Sequence, residues 1–203
     1  MPKIVDHDSR RQELAAAAVE VIADKGIENL RLVDVAKKMG VTTGLVTHYM
    51  TDKDAVLVAA LDHVAQDLIS SSEGLKAGSL KELTDFLAEI LPLDEHRGRQ
   101  WIVWIAFWSR AASNPRLAEV HRQYNKRFRK ALAQVIRRLN LHDDPTACAD
   151  AINLHMDAIA AHATLESEYW HPKRQRTQLK LVLDSLLNPN ERGNHHEPTS
   201  DTR

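Results

Sequence analysis

Apolar residues recur along most of this chain at intervals of three and four positions, which is the spacing of one face of an α-helix. The first series comprises Leu14, Ala18, Val21 and Ile22. Ser9 and Gln12 have the spacing of a capping box that begins this helix, and Lys25 followed by Gly26 supplies its C-terminal stop. We expect the helix to cover the apolar sides of the two helices that follow.

Two short helices joined by a glycine turn are predicted between Arg31 and Lys53. The inward face of the first comprises Leu32, Val35, Ala36 and Met39, and that of the second comprises Leu45, Val46, Tyr49 and Met50. Gly40 stands where the backbone needs a positive φ, and the hydroxyl of Thr42 can cap the second helix. Such a pair is a helix-turn-helix, so we expect this segment to bind DNA.

Six more helices complete an all-α fold of about nine helices. Asp52 or Thr51 can cap the fourth, which is predicted to end in a serine run at 70–72, before a loop over 70–78. Its apolar face comprises Leu57, Leu61, Val64 and Leu68. The other five are predicted over 80–91, 97–113, 115–140, 145–166 and 172–187, with Pro92, Pro115, Pro145 and Pro172 as breaks.

This order of elements predicts a helix-turn-helix DNA-binding domain over residues 1–55. A helical effector-binding and dimerisation domain is expected over 56–187, and a disordered tail over 188–203. The formal net charge is -1, and the first 55 residues carry no basic excess. Any contact with DNA must therefore depend on local clusters of Lys and Arg rather than on an overall positive charge.

The single cysteine and the hydropathy of the chain indicate the cellular compartment in which we expect the protein. The chain has a single cysteine, Cys148, which excludes an intramolecular disulfide. It has neither a signal-like start nor an apolar run long enough to span a bilayer, so we expect a soluble, cytoplasmic protein with no membrane partner.

The segment GVTTGLVTHYMTDKDAVL resembles the TetR family of one-component transcriptional repressors over about a quarter of the chain. The matching positions are Gly40, Val41, Thr42, Gly44, His48, Tyr49, Lys53, Asp54 and Leu57. The resemblance implies contacts with the DNA groove from Thr42, Thr43, Gly44, Leu45, Thr47 and His48, and with phosphates from Tyr49 and Lys53. It also implies a homodimer on palindromic double-stranded operator DNA, controlled by a small-molecule effector.

Three positions depart from the family pattern. Arg31 replaces a threonine that caps the second helix and touches phosphate; arginine can bind phosphate bidentately but cannot cap. Thr47 replaces a common tyrosine and can contact a thymine methyl group, and Met50 replaces a phenylalanine in the core. Arg10 and Arg11 are further candidates for a flexible arm on the DNA backbone.

A tryptophan-rich stretch, WIVWIAFW, places Trp101, Trp104 and Trp108 on one helical face. The ordinary interpretation is a buried core stripe. The alternative is a cavity that binds a cation through its aromatic faces, or a flat apolar ligand. This helix also resembles the choline-responsive, BetI-like branch of the TetR family, which implies a cationic or aromatic effector.

Four residues outside that helix can complete the site. Tyr124 and Tyr169 can add rings to an aromatic cage, and Asp157 or Glu166 can supply the counter-charge to a cation. Each is otherwise an ordinary packing or surface residue. We therefore predict an effector site formed by Trp101, Trp104, Trp108, Tyr124 and Asp157.

The seventh helix is strongly basic, with no acidic residue between Glu119 and Asp143. Its cations are Arg122, Lys126, Arg127, Arg129, Lys130, Arg137 and Arg138. Such a run is usually a solvated face, and an anionic effector or the acidic surface of a partner is the alternative.

The last two helices are candidates for an intersubunit four-helix bundle. The eighth is rich in alanine, and the apolar face of the ninth comprises Leu179, Val182, Leu183 and Leu186. His155 and His162 lie seven positions apart on the eighth helix. Two histidines without a third ligand indicate interface or pocket residues rather than zinc, so we expect no metal and no cofactor.

The leading hypothesis is a homodimeric repressor that a small effector releases from its operator. The alternative is a DNA-bound regulator that recruits a protein partner through the basic helix and has no effector. An enzyme is not expected, because the sequence has no glycine-rich phosphate loop, metal triad or nucleophile motif. The nearest arrangement, His48 with Asp52 or Asp54, is better explained by the helix-turn-helix.

Overall fold

The computed structural model of this chain describes residues 7–73 and 77–187, with the backbone alone for residues 67–73. Within these ranges the chain forms helices and no strand, which confirms the all-α prediction. The helices are α1 His7–Lys25, α2 Leu32–Met39, α3 Thr43–Tyr49, α4 Lys53–Glu73, α5 Leu80–Ile90, α6 Glu95–Ala111, α7 Pro115–Arg138, α8 Pro145–Leu165 and α9 Pro172–Leu187. The predicted tail over 188–203 and the side chain of Leu68 lie outside the described residues.

The first apolar core joins α1 to α4 with the middle of α6. Leu14, Ile22, Val46 and Leu57 are completely buried in it, together with Phe107 of α6. Burial of each large apolar side chain stabilises the fold by about 1.5–3 kcal/mol relative to its exposure. The helix-turn-helix is therefore part of a continuous apolar core with the helix that carries the tryptophans.

Several predicted helix boundaries are wrong by a few residues. Residues 7 and 8 are already helical, so Ser9 lies inside α1 and cannot form the predicted capping box. The fourth helix continues through the serine run to Glu73, because serine costs a helix only a few tenths of a kcal/mol. The sixth begins at Glu95, two residues early, because the Asp94 carboxylate caps it by accepting a hydrogen bond from the Arg97 N–H at 2.9 Å.

The second core joins α5, α7, α8 and α9, and it corrects one prediction about the subunit interface. Leu179, Val182 and Leu183 of α9 are buried within the protomer, and Leu186 is partly buried against the same core. These side chains pack against the protomer's own helices, so they are not available to a second subunit.

A different apolar surface stays uncovered on α8. Ala147, Ala151, Leu154, Ala158, Ala161 and Leu165 follow one another at intervals of four, three, four, three and four residues. This is the spacing of a coiled-coil seam. Leu154 is 67% exposed and Leu165 is 72% exposed. We call these six residues the α8 seam. On α9, Leu181 is also 58% exposed.

Candidate DNA-binding surface and effector cavity

The turn between α2 and α3 has the geometry that the sequence predicts. Gly40 adopts a left-handed conformation with φ of 67°, which an L side chain rarely tolerates. Thr42 caps α3, because its hydroxyl accepts a hydrogen bond from the Leu45 N–H at 3.3 Å. These two residues fix the direction of α3 relative to α2.

The outer face of α3 is polar and open. Thr43, Gly44, Thr47 and His48 are exposed, whereas Val46 is completely buried beneath them. The Thr47 hydroxyl donates a hydrogen bond to the Gly44 carbonyl oxygen at 3.0 Å. Of the other predicted groove residues, Thr42 is exposed and Leu45 partly buried, so the predicted set lies on and beside one accessible face.

Two of the residues predicted to contact phosphate have hydrogen-bond partners within the protomer. The Tyr49 hydroxyl lies 2.8 Å from Nδ1 of His7, and the Lys53 ammonium donates to the Glu28 carbonyl oxygen at 2.6 Å. Tyr49 is the last residue of α3, and Lys53 is the first residue of α4. A contact with DNA at these positions would exchange a protein hydrogen bond for one with phosphate.

Arg31 occupies the N-cap position of α2 without a capping hydrogen bond, as its side chain requires. Its guanidinium is largely exposed, and its Nε lies 3.4 Å from a carboxylate oxygen of Asp34. Sequence reasoning missed Asp34, a buried acid that also pairs with Lys25 at 2.9 Å. Hydrogen bonds from Lys25 and then Arg31 lower the pKa of Asp34, although burial opposes this shift. The signal available was its position three residues after Arg31.

The flexible arm predicted around Arg10 and Arg11 is not found at these residues. Both lie within α1, and Arg10 pairs with Glu13 at 2.7 Å on the same helix. They are held by the first two turns of the helix, so any contact that they make with DNA would come from a helical segment.

A cavity of about 520 Å³ lies among α4, α5, α6, α7 and α8. All five residues of the predicted effector site line it: Trp101, Trp104, Trp108, Tyr124 and Asp157. The other lining residues are Val64, Ala65, Phe86, Glu89, Ile90, Asp94, His96, Arg97, Gln100, Asn125, Phe128, Asn153 and Met156. The structure thus brings together on one cavity residues that are far apart in the sequence.

The alternative candidates Tyr169 and Glu166 lie elsewhere. Tyr169 is 58% exposed, and its ring lies under the guanidinium of Arg174 at 3.9 Å. Glu166 is exposed and lies 3.6 Å from His162. Neither residue lines the cavity, so their predicted roles as cage ring and counter-charge are wrong.

The three indoles form one continuous wall. Their centroids are 5.9 Å apart for Trp101 and Trp108, 6.4 Å for Trp101 and Trp104, and 6.5 Å for Trp104 and Trp108. The Trp101 indole N–H donates to the Ile90 carbonyl oxygen at 2.8 Å. Tyr124 packs edge-on against Trp104, and its hydroxyl donates to the Asp62 carboxylate on α4.

A polar network lies on the α7 and α8 side of the cavity. The Asn153 side-chain amide donates to Oδ1 of Asn125 at 3.0 Å and more weakly to Oδ2 of Asp157 at 3.4 Å. Burial raises the pKa of Asp157 to about 7, and the positive charge of Arg129 opposes part of that shift. The cavity therefore contains a carboxyl group that changes charge near neutral pH.

Sequence reasoning missed the second face of α6. Opposite the tryptophans, this helix carries two arginines, Arg99 and Arg110, separated by about three helical turns. Arg99 pairs with Glu20 at 2.8 Å and Asp24 at 2.6 Å, both on α1. The signal available was the 11-residue separation, which places both cations on one face.

Arg110 forms the second set of ion pairs between α6 and its neighbours. Its guanidinium donates to Oδ1 of Asp54 from Nε at 2.8 Å and from Nη2 at 2.6 Å. The Asn114 amide donates to the other oxygen of Asp54 at 2.9 Å. Asp54 lies in the first turn of α4, next to Lys53, so the tryptophan helix is joined directly to the helix that follows the DNA-binding module.

The basic helix α7 was another candidate for a binding surface. On basic α7, Arg122 pairs with Glu119 at 2.5 Å and Arg129 with Asp150 at 3.2 Å, so part of its charge is matched within the protomer. Among the described residues, no three His, Cys, Asp or Glu side chains are grouped so that they could hold a metal ion. No described helix combines the length and the apolar character needed to cross a membrane.

Family models match both parts of the chain. The model described as "Bacterial regulatory proteins, tetR family" matches residues 14–60, and the model described as "BetI-type transcriptional repressor, C-terminal" matches residues 80–188. The chain is 26% identical over 191 residues to the HTH-type transcriptional regulator BetI of Stenotrophomonas maltophilia, covering 92% of this chain and 97% of that protein. It is 29% identical over 190 residues to the BetI of Burkholderia lata, covering 92% and 96%.

Solved structures agree with the fold. A transcriptional regulator from Rhodococcus sp. Rha1 superposes with a TM-score of 0.80 at 28% identity, covering 88% of this chain and 96% of that one. A transcriptional regulator from Saccharomonospora viridis, crystallised in complex with choline, superposes with a TM-score of 0.75 at 20% identity, covering 88% and 97%.

Proposed function

Because this chain belongs to the TetR family of bacterial regulatory proteins and has a BetI-type C-terminal region, we propose that it is a ligand-responsive transcriptional repressor. It binds a palindromic operator as a homodimer in the cytoplasm, and a small-molecule effector releases it. Residues 1–55 act as the DNA-binding domain, and residues 56–187 act as the effector-binding and dimerisation domain. The observation that carries this proposal is that α6 has two functional faces. One face lines the cavity, and the opposite face forms ion pairs with α1 and α4.

The DNA side of the proposal rests on α3 and its neighbours. The exposed face with Thr43, Gly44, Thr47 and His48 enters the major groove, and Arg31, Tyr49 and Lys53 contact phosphates beside it. This assignment follows the positions that match the family motif. The accessibility of the α3 face and the helix-end positions of Tyr49 and Lys53 support it.

The effector side rests on the cavity. An aromatic wall with a carboxyl group nearby attracts a cationic or aromatic molecule. An effector that displaces α6 would act on Asp54 through Arg110 and on α1 through Arg99, while Tyr124 links the cavity to Asp62 on α4. Release of DNA then requires that the effector prefer the displaced arrangement.

The alternative, a regulator that recruits a protein partner without an effector, predicts a filled or collapsed aromatic core. The open cavity beside Trp104 favours the effector hypothesis over this alternative. The partial pairing of α7 within the protomer also weakens the case for a dedicated acidic partner.

DNA binding is tested by gel-shift assays with genomic fragments and two substitutions. Lys53→Ala should weaken binding to all sequences alike and reduce the salt slope by about one, because it removes one phosphate contact. Thr47→Ala should instead change the preference at one position of the operator, because it alters a base contact. If no fragment binds specifically, the repressor proposal fails; equal effects of both substitutions on all sequences would reject the assignment of Thr47.

The Asp157 carboxyl predicts a pH-dependent affinity for cations. With a pKa of about 7, its ionised fraction rises from about a tenth to about nine-tenths between pH 6 and pH 8, so affinity for tetramethylammonium should increase about tenfold. Calorimetric titration measures this, and Asp157→Asn should remove the dependence. By the same linkage, the free energy of unfolding of the empty protein should fall as pH rises from 3.8 to about 7. A tetramethylammonium affinity of the unsubstituted protein that stays constant between pH 6 and pH 8 would contradict this role of Asp157.

A further inference from the structure

We propose that the cavity binds an amphipathic monocation whose uncharged aromatic or apolar body lies against the tryptophan wall. Its single protonated amine is hydrogen-bonded at Asn153 and Asp157. This inference rests on the proposed function and specifies the chemical class of the effector.

The spacing of the indoles excludes a cation sandwiched between two parallel rings. A cation enclosed between two facing rings keeps each ring centroid within about 6 Å of itself, so two such centroids lie well apart. The three indole centroids are only 5.9–6.5 Å from one another, and the rings are tilted or edge-on in mutual contact. No two of them sandwich a cation face to face, and together they present a wall that suits a flat apolar group, so we assign the charge to the polar side at Asn153 and Asp157.

The distribution of acids around the cavity indicates one positive charge. Glu89 and Asp94 both pair with Arg97, at 2.5 Å and 2.7 Å, and Glu89 also pairs with Arg176 at 3.3 Å. Charge is therefore balanced at the exposed side of the cavity. Asp157 is the one acid lining the described cavity without an ion pair, so it selects a single cationic group.

The hydrogen-bonding capacity beside Asp157 indicates an amine with N–H groups. The side-chain NH2 of Asn153 donates to Asn125 and to Asp157. The side-chain oxygen of Asn153, Oδ1, has no hydrogen-bond partner among the described residues. The free positions beside Asp157 are thus acceptors, while on the aromatic wall the buried Trp108 indole N–H is a donor without a partner among the described residues. A protonated amine supplies donors to them, whereas a quaternary ammonium has none and leaves them unsatisfied.

The size of the cavity indicates a larger molecule than a compact ammonium. At about 30 Å³ for each water-sized group, 520 Å³ corresponds to about 17 such groups. This volume lies in the range of about 300–1,000 Å³ that is typical for drug-sized ligands. A compact cation alone would leave much of the tryptophan wall without contact.

Isothermal titration of the full-length protein with four probes at about pH 8 tests the inference. The probes are phenylbutylamine, its N,N,N-trimethyl derivative, the neutral phenylbutanol, and choline. Phenylbutylamine should bind tightest, and choline and phenylbutanol should each bind about tenfold more weakly or worse, because each lacks the apolar body or the charge-assisted hydrogen bonds. Trimethylation should weaken binding several-fold.

Asp157→Asn should remove the advantage of phenylbutylamine over phenylbutanol. Retained binding of phenylbutanol by this variant establishes that its cavity is intact. The matched control is Asp143→Asn, an exposed acid outside the cavity, which should leave all four affinities unchanged. Choline binding as tightly as phenylbutylamine, or tighter binding of the trimethyl derivative, would overturn the inference. Specific operator binding by the ligand-free protein is measured separately, and its absence would refute the repressor proposal instead.

Discussion

Replacing Leu154 with arginine is expected to convert the protein to a monomer and to lower its affinity for operator DNA about a hundredfold or more. The α8 seam repeats at the heptad spacing, and the small alanines allow close approach of a second helix. A protomer with Leu154 67% exposed, Leu165 72% exposed and Leu181 58% exposed has an uncovered apolar surface typical of an interface.

A second copy of the chain is the partner that fits this surface. Two α8 helices related by a two-fold axis would place their seams against each other, and such symmetry matches a palindromic operator. Each helix-turn-helix contacts a few base pairs, so joining two of them converts the second binding event into an intramolecular one. A buried arginine at position 154 would face the same residue of the partner and carry an unpaired charge.

Sedimentation equilibrium and gel-shift titration measure the two effects. Because Leu154 is exposed in the protomer, Leu154→Arg should keep its helical circular dichroism and its protomer fold. Gln134→Arg, at an exposed position on α7 that is not one of the six seam residues, is the matched control and should remain dimeric. Dimers that persist in Leu154→Arg with unchanged DNA affinity would rule out the α8 seam as the interface.

The subunit interface illustrates what the sequence cannot decide. Leu179, Val182 and Leu183 have the helical spacing of an interface stripe and also that of a core stripe, and the structure uses them in the core. Helical periodicity identifies the apolar face of a helix but not the element that covers it. The α8 seam was harder to recognise, because this helix is apolar over most of its circumference, so its exposed side has no polar contrast.

The cavity illustrates the opposite case. Trp101, Trp104 and Trp108 were identifiable because their spacing of three and four places them on one face of a single helix. The sequence could not show which of Tyr124 and Tyr169 lines the cavity. Only the packing of α7 against α4 and α6 brings Tyr124 to the tryptophan wall. The helix-turn-helix was the most predictable region, since Gly40 and Thr42 fix it by local geometry.

Ion pairs between helices were the least predictable feature. The second large effect that we expect comes from one of them, the pair between Arg110 and Asp54. Arg110→Gln should leave effector affinity within about twofold, because Arg110 does not line the cavity. It should reduce the effector-induced loss of DNA affinity at least about fivefold, since coupling between sites typically amounts to 5–150-fold in affinity. The substitution removes both bonds to Asp54 on α4 while leaving the bond from Asn114.

Reciprocity provides two independent measurements of this coupling. The affinity of the protein for operator DNA is measured with and without effector, and the affinity for effector is measured with and without operator; the two ratios must agree in each variant. Arg122→Gln is the matched control, because among the described residues Arg122 pairs with Glu119 alone, on its own helix. Thermal unfolding establishes that the variants are folded at the assay temperature.

Adding Arg99→Gln to Arg110→Gln tests whether the ion pairs of these two arginines act together. If α6 transmits its displacement through both, the double variant should bind effector and stay on the operator, and the two substitutions should be non-additive. Full release of DNA by effector in the double variant would mean that Arg99 and Arg110 only stabilise the fold. In that outcome Tyr124, whose hydroxyl donates to Asp62, would be the remaining direct polar link from the cavity to α4 among the described residues.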